Sequence, residues 1–133
     1  MFTISSRVDY GVQLLRQFAR KQHTAPVSLQ KVADELGLPY RYLAQIVLPL
    51  CRAGMLESTE GVKGGYRLAQ KPALISLRAV MAALEPQRRI IRCLQKNHGT
   101  CPYRRRCGAH MWWQELDRRI TRELDAMTLA QLI

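Results

Sequence analysis

Residues 28–70 read SLQKVADELGLPYRYLAQIVLPLCRAGMLESTEGVKGGYRLAQ, and this stretch decides the fold. Ser28 can cap a short helix with Leu29, Val32, Ala33 and Leu36 on one face, and Gly37 suits the left-handed residue that ends it. After a turn of two or three residues another helix begins at about Pro39, a residue well suited to a first helical turn. Its inner face is Leu43, Ile46, Val47 and Leu50. Tyr40, Arg41, Ala44 and Gln45 lie outside. Pro49 lacks the N–H its turn needs, so it is expected to kink or shorten this helix and leave only the first half straight. Strands over 55–59 and 66–69 then flank Glu60-Gly61-Val62-Lys63-Gly64-Gly65, a hairpin tip that needs positive φ. Helix, short turn, helix and hairpin make a winged helix-turn-helix, which sets one helix N-terminus in a major groove and the hairpin against a neighbouring minor groove or backbone.

On the N-terminal side, residues 5–20 fit an amphipathic helix capped by Ser5 or Ser6, with Val8, Gly11, Val12, Leu15, Phe18 and Ala19 at helical spacing. On the C-terminal side, Ser76 starts a helix to about Glu85 with Leu77, Val80, Met81 and Leu84 inward, and Pro86 stops it. A last helix spans about Ala109 to Met127. Its stripe of Trp112, Leu116, Ile120, Leu124 and Met127 has few partners in its own chain, which suggests pairing with a second copy. The fold class is therefore mainly α with a small β-hairpin. Residues 1–85 form the winged helix-turn-helix domain, 86–110 a basic cysteine segment, and 109–133 the dimerisation helix and terminal segment.

The chain of 133 residues carries 21 Lys+Arg against 10 Asp+Glu, a net charge of +11, which favours a polyanionic partner and above all double-stranded DNA. The excess is uneven: residues 86–110 hold 7 basic and no acidic groups, while 111–133 hold 3 and 4. No apolar h-region follows the start and no run approaches the ~18 residues of a spanning helix, so a reducing cytoplasm and no membrane are expected. There is no Ser-His-Asp arrangement, phosphate loop or paired acid–base cleft, so an enzyme is not expected.

Within the basic segment Cys93, Cys101, Cys107 and His110 read C-x7-C-x5-C-x2-H. Thiolates form more readily among cations, and in a reducing compartment such a cluster suggests metal or redox chemistry over structural disulfides. Three thiolates and His110 satisfy a tetrahedral zinc as well as an iron–sulfur cluster, and Cys101 with Cys107 can form a reversible disulfide. The loop can also hold nothing. Cys51 reads as a small core residue. His98 can replace His110, though it reads better as a solvated loop residue, and His23 has no identifiable partner.

The chain resembles the Rrf2 family of bacterial transcription regulators along nearly its whole length. The resemblance rests on Ile4-Ser5-Ser6-Arg7-Val8-Asp9-Tyr10, on Val27-Ser28-Leu29-Gln30-Lys31-Val32-Ala33 into Tyr42-Leu43-Ala44-Gln45, and on Leu124 to Leu132. Its most specific part is Ala53-Gly54-Met55-Leu56 followed by Lys63-Gly64-Gly65-Tyr66-Arg67-Leu68. The resemblance implies a homodimer with crossed C-terminal helices and an operator of partial two-fold symmetry. It also implies an iron–sulfur cluster, 2Fe–2S or 4Fe–4S, on Cys93, Cys101 and Cys107, through which such members sense cluster supply, iron, nitric oxide or redox state. The fourth ligand stays open. His110 has the spacing of the family's cluster-biogenesis regulator, Asp9 matches a position where some nitric-oxide-sensing members place an acidic ligand from the partner, and solvent or a small thiol is the third choice. The C-x7-C interval is longer than the C-x5-C of several members.

For DNA, Arg41 can pair with a guanine edge and Gln45 with an adenine edge. Tyr40 can contact a base or a phosphate, and Tyr42 is expected to be half buried. Ser28 and Gln30, and Ser5, Ser6 and Arg7, sit at helix N-termini where backbone N–H groups hold phosphate. Several family members place an arginine just before the first wing glycine. Here that residue is Glu60, so Lys63, Gly64 and Arg67 are left to make the wing contact.

Overall fold

The computed structural model describes residues 3–21, 25–94 and 101–133; His23 and His98 lie outside them. Three helices begin where the sequence places a serine cap. α1 (Ser6–Arg20) starts with the Ser5 hydroxyl accepting from Val8 N at 3.3 Å. α2 (Leu29–Leu36) starts with Ser28 accepting from Lys31 N at 3.2 Å and ends at Gly37, φ 65°. α4 (Leu77–Leu84) starts with Ser76 accepting from Ala79 N at 3.2 Å. Each cap satisfies a backbone donor that the helix leaves open, worth about 1 kcal/mol.

α3 (Tyr40–Arg52) differs from the expectation in two respects. Pro39 stands before the first turn, in extended conformation. Pro49 does not shorten the helix, which continues through it to Arg52. Proline in a helix interior costs about 3 kcal/mol. Burying one large aliphatic side chain is worth about 1.5–3 kcal/mol, and Ile46, Val47 and Leu50 on this helix are all buried. Packing on both sides of Pro49 therefore outweighs the one backbone bond lost to the Gln45 carbonyl.

β1 (Leu56–Thr59) and β2 (Gly65–Leu68) form the antiparallel hairpin, each one residue off the expected limits. Leu56 pairs with Leu68, Glu57 with Arg67, Ser58 with Tyr66 and Thr59 with Gly65. The hairpin also carries a bridge that the residue pattern does not announce. Val27 exchanges both backbone bonds with Tyr66 (N–H to O 3.0 and 2.8 Å), tying the wing to the entrance of α2. Gly65 is needed there, because its φ is 156° and a Cβ would stand 2.3 Å from the Val27 carbonyl oxygen.

α5 (His110–Ala126) has no side-chain cap and buries none of its residues fully. The chain then turns back: Leu77 N donates to Met127 O (2.8 Å) and Leu129 N to Ile75 O (2.9 Å). A 3-10 turn, Leu129–Leu132, carries a capping box between Thr128 and Gln131, and Arg16 Nε donates to Leu132 O at 2.7 Å. Leu129 thereby enters the core formed by Leu14, Leu15, Phe18, Leu43, Ile46, Leu50, Ile75 and their neighbours. Among the described residues no helix is long and apolar enough to cross a membrane.

Candidate functional site

Two regions hold the candidate residues. On the first, α3 presents Tyr40, Arg41 and Gln45 to solvent, while Tyr42 is half-buried with its ring edge-on to Tyr10 (centroids 5.6 Å apart, 87° between planes). Tyr42 thus fixes α3 against α1. Because α3 continues past Pro49, its exposed side extends to Leu48 and Arg52, which the expected shortening had hidden. Ser5 and Ser28 spend their hydroxyls on caps, and Gln30 donates to Asp34 Oδ1 at 2.8 Å. Ser6 is exposed and Arg7 half-buried, its Nε enclosed without an acceptor among the described residues. On the wing Lys63 is exposed and Gly64 half-buried, while Arg67 is paired with Glu57, its partner across the hairpin.

The second region is the cysteine segment. Cys93 is exposed in a 3-10 turn, Arg92–Leu94, and lines a cavity of about 660 Å³ with Thr3, Arg88, Trp113 and Leu116. Cys101 and Cys107 are half-buried in tight turns, with Arg104 N donating to Cys101 O (3.0 Å) and His110 N to Cys107 O (3.3 Å). His110 is the first residue of α5, within one residue of the expected helix start. Asp9 is exposed on α1 and accepts from Gln13 Nε2 at 3.2 Å. All four cysteines are free thiols. Among the described residues no three His, Cys, Asp or Glu side chains converge on a metal-sized point. The donor set suits a thiophilic iron or zinc centre in kind, since three uncommitted thiols and an imidazole lie among cations without a nearby carboxylate in sequence. Cys51, half-buried in α3, packs against the core, and burial pushes its thiol up.

The α5 stripe is largely uncovered. Trp112 is 78% exposed, Leu116 41% and Met127 50%, while Ile120 and Leu124 are half-buried.

The family model described as Rrf2, iron-dependent transcriptional regulator, matches residues 4–133. The protein named rrf2 of Nitratidesulfovibrio vulgaris is 32% identical over 130 residues, covering 98% of this chain and 86% of its own. The HTH-type transcriptional regulator IscR of Vibrio vulnificus is 32% identical over 130 residues, covering 98% and 76%. Among solved structures, CymR, described as the global cysteine regulator of B. subtilis, superposes with a TM-score of 0.75 at 28% identity, covering 99% of this chain and 96% of that one. IscR of T. potens gives 0.73 at 28% identity, covering 98% and 85%.

Proposed function

The chain belongs to the Rrf2 family of DNA-binding transcription regulators and is not an enzyme; from that premise we propose that it is a cytoplasmic homodimer, a repressor whose hold on a double-stranded operator is set by an iron–sulfur cluster. Cys93, Cys101 and Cys107 would hold the cluster, with His110 or Asp9 of the partner subunit as fourth ligand. The observation that carries this is the presence of three free thiols in a segment with 7 cations and no carboxylate, supported by the similarity to IscR. When bound, the cluster supplies a soft anionic centre whose gain, loss or oxidation is the signal.

The chain's own residues do the rest. Arg88, Arg89 and Arg92 line the same cavity as Cys93 and set positive charge along it. His110 opens α5, so a ligand at that position joins the segment directly to the dimer stripe. Tyr40, Arg41 and Gln45 read bases, Ser6, Arg7 and Gln30 hold phosphate near helix N-termini, and Lys63 holds it at the wing. A change in how residues 86–110 are held alters the separation of the two α3 helices, so that half-site spacing matches in one state and not in the other.

Anaerobic native mass spectrometry tests the reading on wild type, on the triple Cys→Ser variant, and on His110→Ala and Asp9→Ala, alongside operator binding. Wild type should carry the added mass of iron and sulfide, and the triple variant should not. Colourless wild type whose DNA affinity is unchanged after anaerobic reconstitution would sink the proposal. A second reading, a thiol switch, is favoured by the likeness to a cysteine regulator. It predicts a mass two hydrogens lighter on oxidation and no iron.

A further inference from the structure

At 3.6 residues per turn, Arg41, Gln45, Leu48 and Arg52 fall in one stripe of α3 about 60° wide. The buried Leu43, Ile46, Val47 and Leu50 lie on the opposite side. All four stripe residues are exposed, Leu48 by 52%. Arg41 and Arg52 hold no ion pair among the described residues. The stripe is thus two uncompensated cations, an amide and one large apolar side chain, all facing away from the core. A single exposed leucine is ordinary on a protein surface. This one stands between residues whose charge and hydrogen bonding match a polyanion.

The major groove offers one apolar feature that can receive such a side chain, the 5-methyl group of thymine. We propose that Leu48 is a base-reading residue that packs on a thymine methyl, and that Arg52 holds phosphate at the far end of the same stripe. The proposal rests on the assignment of α3 to the major groove. Seven residues separate Arg41 from Leu48, about 10 Å along the helix axis. That is about three base-pair steps of 3.4 Å, so the thymine lies about three positions from the base that Arg41 reads. Pro49 sits inside the same turn, and the helix continues through it, which is what keeps Leu48 and Arg52 in line with Arg41.

The test uses the full-length protein, in the state that binds DNA, to select sequences from a random duplex pool. Each thymine of the selected site is then replaced singly by deoxyuridine, which removes only the methyl group, and affinities are read by fluorescence anisotropy. Wild type should lose about fourfold at one thymine per half-site, the worth of one buried methyl-sized group. Leu48→Ala should lose a similar factor on the unmodified site and be indifferent to deoxyuridine at that thymine. Arg52→Ala should lower the slope of log affinity against log salt by about 0.9 without changing base preference. Both side chains are exposed, so far-UV circular dichroism should be unaltered. A deoxyuridine penalty that persists in Leu48→Ala, or the lack of any penalised thymine, overturns the assignment of Leu48 alone. Failure of wild type to enrich any sequence brings down the groove assignment beneath it.

Discussion

Glu57 and Arg67 stand directly opposite each other on the hairpin and close an ion pair on its exposed face. The cation that the wing signature offers to DNA is therefore already partnered by a carboxylate. Lys63, exposed at the tip, is left as the freer wing charge, with Glu60 nearby in sequence. An exposed pair of this kind is worth well under the energy of a phosphate contact, so it modulates binding more than stability.

Glu57→Gln should release Arg67 and remove a negative charge from the wing. Operator affinity at low salt is expected to rise about two- to fivefold, and the salt slope to steepen by about 0.9. Thermal stability should stay within about 0.5 kcal/mol. Anisotropy titrations at several salt concentrations read the first two quantities. An unchanged slope would mean that Arg67 does not meet phosphate.

Gly65→Ala should loosen the wing from the body of the domain. The added Cβ meets the Val27 carbonyl at 2.3 Å in a backbone conformation of φ 156°. A cost of about 1–3 kcal/mol is expected, visible as several degrees in Tm. Hydrogen exchange at the Val27 and Tyr66 amides should rise together, because each donates to the other's carbonyl. Independent behaviour of the two amides would contradict the bridge.

Leu116→Arg should abolish the proposed pairing through α5 while leaving the single chain folded, since no residue of α5 is fully buried in it. An unpaired charge in an apolar contact costs several kcal/mol, more than about a hundredfold in the dimer dissociation constant. Sedimentation equilibrium and far-UV circular dichroism read the two halves of the statement. A variant that still dimerises removes the stripe from the interface.

Burial pushes the Cys51 thiol up, so less of it is thiolate at neutral pH. Because alkylation proceeds through the thiolate, Cys51 should label last under native conditions. Its rate should keep climbing at pH values where an ordinary thiol has levelled off. Cys93 is exposed and should label well before it. Peptide mapping after timed iodoacetamide pulses checks the order, and equal rates would remove Cys51 from the packed face of α3.

Local chemistry is what made the fold readable. Ser5, Ser28 and Ser76 each bond the N–H three residues on, and Gly37 takes the left-handed conformation that a helix end asks for. These are interactions within a turn of chain, and residue type alone announces them. Pro49 misled for the same reason. Its local penalty is visible in sequence, whereas the burial that outweighs it depends on α1 and α4 packing against α3. Leu14 lies outside the α1 stripe that the spacing marks and is nonetheless fully buried, because the width of an apolar face depends on how many neighbours close over it. The Val27–Tyr66 bridge and the return of Leu129 to the core join residues far apart in sequence, and no periodicity signals them. At the candidate site the residue types were legible, but their spatial assembly is not. Thiol spacing states that ligands are available, but not where they stand relative to one another.

The bonds that fasten Met127 and Leu129 to Leu77 and Ile75 give α5 one fixed end. Its opposite end, His110, adjoins the cysteine segment, 17 residues away along the helix. That makes an arm of about 26 Å, anchored at the tail like a fulcrum. A shift of about 2 Å at the cysteine end then corresponds to a swing of only about 5° over that length. Under the proposed pairing of two copies through α5, a small displacement beside Cys107 would reach the second copy as a change of angle, with the core that carries α3 as the fixed mount.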